Sequence, residues 1–246
     1  MKKYKVIACK VISKELYTIA SKSKNQIDIL WLQQALHDTP DKLRKQIEDA
    51  ISRVENEEEK YDAILLGYGL CSKGIAGVKA QQTPLVVPRG HDCITMLLGS
   101  KEKYRELFDS RDGGIYWYSC GWIDHALQPG KERYELTYQS YLNQFGEDNA
   151  KYLMEMEQNW MQEYTCASFI RWKEFDDGRN KEYVEYTKEC AAYLEWEYDE
   201  VEGSSTLLTD LLEGNWDEKR FLFVKPGQKI YATNDKDIVG VKEDGK

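Results

Sequence analysis

Three short segments of this sequence bring soft metal ligands into glycine-punctuated turns. Tyr68-Gly69-Leu70-Cys71 follows the apolar run Asp62–Gly67. Arg89-Gly90-His91-Asp92-Cys93 follows Pro84–Pro88, and Ser119-Cys120-Gly121-Trp122 follows Gly114–Tyr118. Cysteine sulfur and imidazole nitrogen hold zinc tetrahedrally, and a zinc with three protein ligands keeps its fourth position for water or substrate. Such a zinc lowers the pKa of a bound thiol or water and makes a nucleophile at neutral pH. Cys71, His91, Cys93 and Cys120 are therefore the candidate metal ligands. Their spacing is not a Cys-x-x-Cys knuckle. Iron–sulfur chemistry could use the same thiols, but His91 in the set favours zinc. Tyr68 and Arg89 are the candidate substrate-binding residues. A buried arginine pairs either with a core carboxylate or with an anionic ligand, and Arg89 stands two residues before His91.

The remaining candidates divide by context. Cys166 and Cys190 sit in apolar stripes and read as packing. Cys9, at the end of the first apolar run, reads equally well as packing or ligand. His37 precedes Asp38-Thr39-Pro40, a helix start whose capping explains its neighbours without chemistry. Whether Cys9, His37 or Cys120 completes the site stays open. Cys71 or Cys93 could pair with His91 as a nucleophile and base by content alone, and no catalytic residue is singled out. Other templates fail. The stretch from Gly67 lacks the third glycine of a dinucleotide fingerprint, and there is no phosphate loop or Gly-x-Ser-x-Gly elbow.

The positioning elements are short apolar runs separated by helical stretches. Runs at 5–11, 62–67, 84–88 and 114–118 read as strands. The stretches within 22–60 and over 72–80 and 92–108 read as helices. This alternation predicts an α/β fold: a mainly parallel, Rossmann-like sheet with helices on both faces. The strands at 62–67, 84–88 and 114–118 are expected to be neighbours, because sequential strands usually are. Their carboxyl ends would then share the edge where ligands of such sheets bind. In the second half, helices are expected over 148–164, 180–195 and 204–212, with strands over 165–172, 196–201, 220–224 and 228–232. Residues 124–147 read as a connection and 234–246 as a loose tail. The expected division is an N-terminal βα lobe, 1–123, carrying the Cys/His cluster, and a C-terminal βα lobe, 124–246.

Composition narrows the function classes. The 246 residues carry 34 Lys and Arg against 43 Asp and Glu, a net charge of −9, and 41% are hydrophobic. That is enough apolar content for a core and the wrong charge for a nucleic-acid backbone binder. No apolar run approaches the roughly 20 residues that cross a bilayer, and the first residues lack the apolar stretch of a signal peptide. The expectation is a cytoplasmic protein, without membrane or nucleic-acid partners, whose six cysteines stay reduced.

Taken together, these segments resemble the DUF1638 family of uncharacterised prokaryotic proteins. The resemblance is carried by Ala8-Cys9 with Glu15-Leu16, Leu36-His37 with Pro40 and Leu43-Arg44, and Tyr68-Gly-Leu-Cys71. Pro88-Arg89 with His91-Asp-Cys93-Ile94, Leu98-Gly99-Ser100 with Tyr104, and Gly121-Trp122 continue it. Leu211-Leu212 with Gly214, Trp216-Asp217 and Pro226-Gly227 complete it. The resemblance implies an association with corrinoid-dependent methyl transfer in anaerobes, with a corrinoid protein as partner. Three functions compete. The first is a zinc-dependent, methyltransferase-type enzyme acting on a methyl group or thiol. The second is a non-enzymatic carrier of metal or corrinoid, and the third a protein with a closed structural zinc site.

Overall fold

The computed structural model describes residues 1–34, 36–175 and 178–243, without the side chains of His37 and Arg179. In chain order its elements are β1 (Lys3–Cys9), α1 (Ser13–Ala20), β2 (Gln26–Leu32), α2 (Pro40–Glu55), β3 (Ala63–Gly67), β4 (Leu85–Pro88), α3 (Cys93–Leu98) and α4 (Lys101–Asp109). There follow β5 (Gly114–Tyr118), α5 (Cys120–His125), α6 (Lys131–Phe145), α7 (Glu147–Gln158), β6 (Tyr164–Arg171), α8 (Arg179–Tyr193) and β7 (Glu197–Glu202). The chain closes with α9 (Thr206–Glu213), β8 (Phe221–Val224), β9 (Gln228–Ala232) and β10 (Val239–Glu243). Two compact units result, Met1–Tyr104 with Ser204–Lys246, and Arg105–Gly203. The boundaries differ from the expected single division at 123 because the chain returns to its first sheet: β8 pairs antiparallel with β4.

The first unit is built on a sheet of order β2-β1-β3-β4-β8, parallel except for β8. Strands β3 and β4 are apolar throughout because both faces are covered. Ile7, Ile64, Leu66, Leu85 and Val87 share a core with Leu43, Ile47 and Ile51 of α2. Val6, Leu65 and Val86, next in sequence to these, are fully buried as well, and α9 packs on α1 and β4. The start of α2 is the expected one, Thr39 preceding Pro40 at the first helical turn. The second unit carries a three-stranded parallel sheet, β5-β6-β7. There α8 covers the face bearing Tyr118, Ala167 and Phe169. The architecture is α/β, mainly parallel and Rossmann-like, with two parallel-sheet regions.

Several local expectations are overturned. The strand at 114–118 exists, but it lies in the second unit's sheet and is not a neighbour of β3 and β4. Residues 26–32, expected within a helical stretch, form edge strand β2 in register with β1. Pairing outweighs the three-and-four spacing of Ile27, Leu30 and Trp31. Residues 72–80 form turns instead of a helix. The stretch 92–108 is two helices, divided where Gly99 takes a left-handed φ of 86° as the cap of α3. Residues 131–145, read as connection, are helix α6, none of whose residues is buried. Much of the supposedly loose tail forms β10 on β9, and residues 244–246 lie outside the described chain.

Candidate functional site

In the first unit, β1, β3 and β4 are consecutive parallel neighbours, so their carboxyl ends form one edge. β1 ends on Cys9 and passes directly into a short helical turn. The loops that follow β3 and β4 are tied to each other by main-chain bonds. Leu70 N–H donates to the Gly90 carbonyl at 2.8 Å, and Cys71 N–H donates to the His91 carbonyl at 2.7 Å. Gly69 permits this approach, since a Cβ there would lie 2.6 Å from the Asp92 nitrogen. Cys71, Ser72 and Lys73 then take left-handed φ values of 47°, 55° and 69°, and Gly74 N–H closes the turn on the Cys71 carbonyl at 2.8 Å. Left-handed backbone costs about 1–2 kcal/mol for each non-glycine residue, and such strain concentrates at functional sites.

Cys93 opens α3 immediately after its capping residue. Asp92 Oδ1 accepts from the Ile94 and Thr95 nitrogens at 3.0 and 3.3 Å, and Oδ2 accepts from the Tyr104 hydroxyl at 3.3 Å. Burial dominates the Asp92 carboxyl and raises its pKa against these hydrogen bonds.

Cys9, Cys71 and Cys93 are all partly buried and free of disulfide bonds. Burial raises each thiol pKa. For Cys71 the Asp92 charge and Cys9 add to it, against a hydrogen bond from the Gly69 main chain. For Cys93, burial is followed by Asp92, Cys71 and Cys9. For Cys9, a main-chain bond from Val11 opposes burial. The three thiols and one carboxyl thus share one electrostatic neighbourhood. Tyr68 lies in it too. It is 3% exposed, and its pKa is pushed up by burial and then by Cys9, Cys71 and Cys93. Its buried hydroxyl has no hydrogen-bond partner among the described residues. Buried polar groups are ordinarily bonded.

Of the residues expected to act, Cys71, Cys93 and Tyr68 come together. His91 gives its carbonyl to Cys71, while the residue is exposed to solvent. Cys120 belongs to the second unit, where it opens α5, is buried, and lies 3.7 Å from Asn180 Oδ1. The guanidinium of Arg89 is bonded to main-chain carbonyls. Its Nε donates to the Glu218 and Phe221 carbonyls at 2.8 and 3.3 Å, and its Nη1 donates to the carbonyls of Asp237, at 3.1 Å, and Val239. The guanidinium thereby stitches the C-terminal segment to β4. The His37 side chain lies outside the described residues. Cys9 is the residue that the sequence left balanced, and the signal that finds it is strand order: β1 sits beside β3. Among the described residues, no group of three or more His, Cys, Asp or Glu side chains is arranged to hold a metal ion.

The family model described as "Protein of unknown function (DUF1638)" matches residues 31–212. The chain belongs to this family. No curated protein and no solved structure matches it. The DUF1638 match takes in the loops bearing Cys71, Asp92 and Cys93, while Cys9 lies before it. Among the described residues of this DUF1638 chain, no helix is long and apolar enough to cross a membrane.

Chemically, the edge offers thiols that burial keeps protonated. A metal would have to displace those protons, and the bound thiolates would offset the loss of neutral burial.

Proposed function

We propose that this chain holds a thiophilic metal centre on Cys9, Cys71 and Cys93 and uses it on a methyl group or a thiol, as a methyltransferase-type enzyme in corrinoid-linked methyl transfer. One observation carries the metal reading. Three partly buried thiols follow adjacent parallel strands at their carboxyl edge, in the electrostatic neighbourhood of a buried hydroxyl without a partner among the described residues. The methyl-transfer context, with a corrinoid protein as partner, rests on the family resemblance. Zinc fits the proposal as a Lewis acid that would activate a bound thiol or water. In that role Cys71 and Cys93 would fix the metal from two bonded loops, and Cys9 would close the set from the neighbouring strand. Tyr68 would orient the incoming ligand.

The test is metal per chain in protein purified without added metal or chelator, with circular dichroism to confirm folding. Cys93→Ser is expected to lose the metal, because a serine hydroxyl is not ionised near neutral pH and binds zinc poorly. Cys190→Ser, in the second unit, is expected to keep it. Equal metal in the parent and the Cys93 variant would remove Cys93 from the site. Methyl transfer from a methylated corrinoid, measured on the loaded protein, separates an enzyme from a carrier.

A further inference from the structure

We propose that strand β2 is the interface of a symmetric homodimer, in which it pairs antiparallel with β2 of a second copy of this chain. β2 ends the sheet β2-β1-β3-β4-β8. It follows β1 in unbroken parallel register over all seven of its residues, so no bulge turns it away. Gln26 N–H donates to the Lys2 carbonyl at 2.9 Å. Main-chain groups alternate in direction along a paired strand, so Gln26, Asp28, Leu30 and Leu32 face β1, and Ile27, Ile29 and Trp31 face outward. Among the described residues, no hydrogen bond reaches the main chain of those three. An open row of this kind is a template for another strand, and proteins ordinarily blunt it with a short edge, lysine, proline or a bulge. β2, Gln-Ile-Asp-Ile-Leu-Trp-Leu, has none of these. At the other end of the sheet, β8 is only four residues long and β10 lies against it.

The partner is a second copy because β2 is complementary to itself in one register. A two-fold axis through Ile29 sets Ile29 opposite the partner's Ile29, and Ile27 opposite the partner's Trp31. Every outward N–H and C=O of the strand then meets a main-chain group across the axis. An axis through Asp28 would set two carboxylates directly opposite with Cα atoms about 4.5 Å apart, and like charges so placed are destabilising. It would also leave Trp31 unpaired, as an axis through Leu30 would leave Ile27. On the Ile29 axis the strand's only charge, Asp28, faces the partner's Leu30. That charge is already met within the chain, by Lys3 Nζ at 3.8 Å and the Tyr61 hydroxyl at 2.9 Å. From Ile27 to Leu32 every residue is only half-buried, so both faces of the strand still show apolar surface to water. Ile27, Ile29 and Trp31 share one face, where Tyr17, 57% exposed, accepts the Trp31 indole hydrogen at 2.7 Å. The partner's Ile27 would lie beside this aromatic pair, and aromatic and β-branched side chains pair well across strands. On the other face Leu30 and Leu32 pack on the core that includes α2. The association is isologous and joins the two five-stranded sheets into one.

The experiment is the mass of the full chain in solution, by analytical ultracentrifugation over a range of concentrations. The expected result is a shift from the chain mass of 28.7 kDa to twice that value as concentration rises. Ile29→Lys brings two ammonium groups to the axis and is expected to hold the chain at the single mass throughout, with circular dichroism to confirm folding. Phe223→Lys, on the opposite edge strand β8 and 44% exposed, is expected to dimerise as the parent does. If Ile29→Lys fails to fold, hydrogen exchange of the parent decides. The amides of Ile27, Ile29 and Trp31 should slow as concentration rises, whereas those of Asp28 and Leu30, already directed at β1, should not change. A parent that stays at the single mass up to about 1 mM would overturn the proposal. So would a dimer that survives in folded Ile29→Lys, or outward amides indifferent to concentration.

Discussion

The two units each contain three cysteines, and they treat them differently. In the second unit every thiol is buried with a side-chain neighbour. Cys120 meets Asn180, Cys166 lies 3.4 Å from Arg111 Nη1, and Cys190 lies beside the hydroxyls of Tyr186 and Tyr118. In the first unit every thiol is only partly buried, and what it meets is main chain, the other thiols and a capping carboxylate. The tyrosines repeat the contrast. Tyr118 donates to the Pro129 carbonyl at 3.1 Å, whereas the Tyr68 hydroxyl has no partner among the described residues. The lesson is that residue type alone does not separate a structural thiol from a candidate ligand. The separating property is whether the chain itself completes the bonding.

The largest effect expected of this difference is on pH dependence. Burial raises the thiols of Cys9, Cys71 and Cys93 above their ordinary value of 9.0. A raised acid binds its proton more tightly when folded, so its contribution to stability is complete below about pH 9. That contribution is lost as pH rises, because the unfolded chain gives up its thiol protons first. Metal-free protein should therefore weaken steadily between about pH 8 and 10 in guanidinium unfolding. The triple variant Cys9→Ser, Cys71→Ser, Cys93→Ser should flatten that slope more than Cys166→Ser with Cys190→Ser, whose shifts are opposed by Arg111 and by two tyrosines. Equal flattening in the two variants would erase the distinction between the units.

Next in size is the effect of deleting one hydroxyl from each unit. Tyr118→Phe leaves the Pro129 carbonyl without its donor, and is expected to cost about 1–3 kcal/mol. Tyr68→Phe removes a buried hydroxyl without a partner among the described residues, and is expected to leave metal-free stability unchanged or raise it. Chemical denaturation of both variants reads the difference. A loss in Tyr68→Phe matching that in Tyr118→Phe would mean that the Tyr68 hydroxyl has a structural partner after all.

How much of this was legible in the sequence follows the same division. The buried parallel strands were readable because both-face burial leaves a continuous apolar run at 63–67 and 85–88. The Cys71 and Cys93 loops were readable because glycine-punctuated turns after strands are a local signal. Cys9 was not singled out, since its role depends on β1 lying beside β3, a long-range pairing. Cys120 was misplaced in the argument for the converse reason: β5 follows β4 in sequence yet pairs with β6. The role of Arg89 was hidden because its acceptors are carbonyls from 218 to 239, invisible to any argument from side-chain type.

The smallest expected effect separates the units by backbone alone. Lys73 is exposed and holds a φ of 69°, the last of three successive left-handed residues. Glu189 is equally exposed but sits inside α8. Glycine relieves left-handed strain of about 1–2 kcal/mol and brings an entropic cost of roughly 0.5–1 kcal/mol. Lys73→Gly should therefore gain roughly 0.5 kcal/mol, whereas Glu189→Gly should lose about 1 kcal/mol, the ordinary helix penalty. The same new residue gives opposite signs only if the turn after β3 is held against its own preference. The bonds that hold it run from Leu70 and Cys71 to the loop carrying Cys93. A loss in Lys73→Gly equal to that in Glu189→Gly, measured by guanidinium unfolding, would show that the turn stores no strain. The orientation of Cys71 would then owe nothing to it.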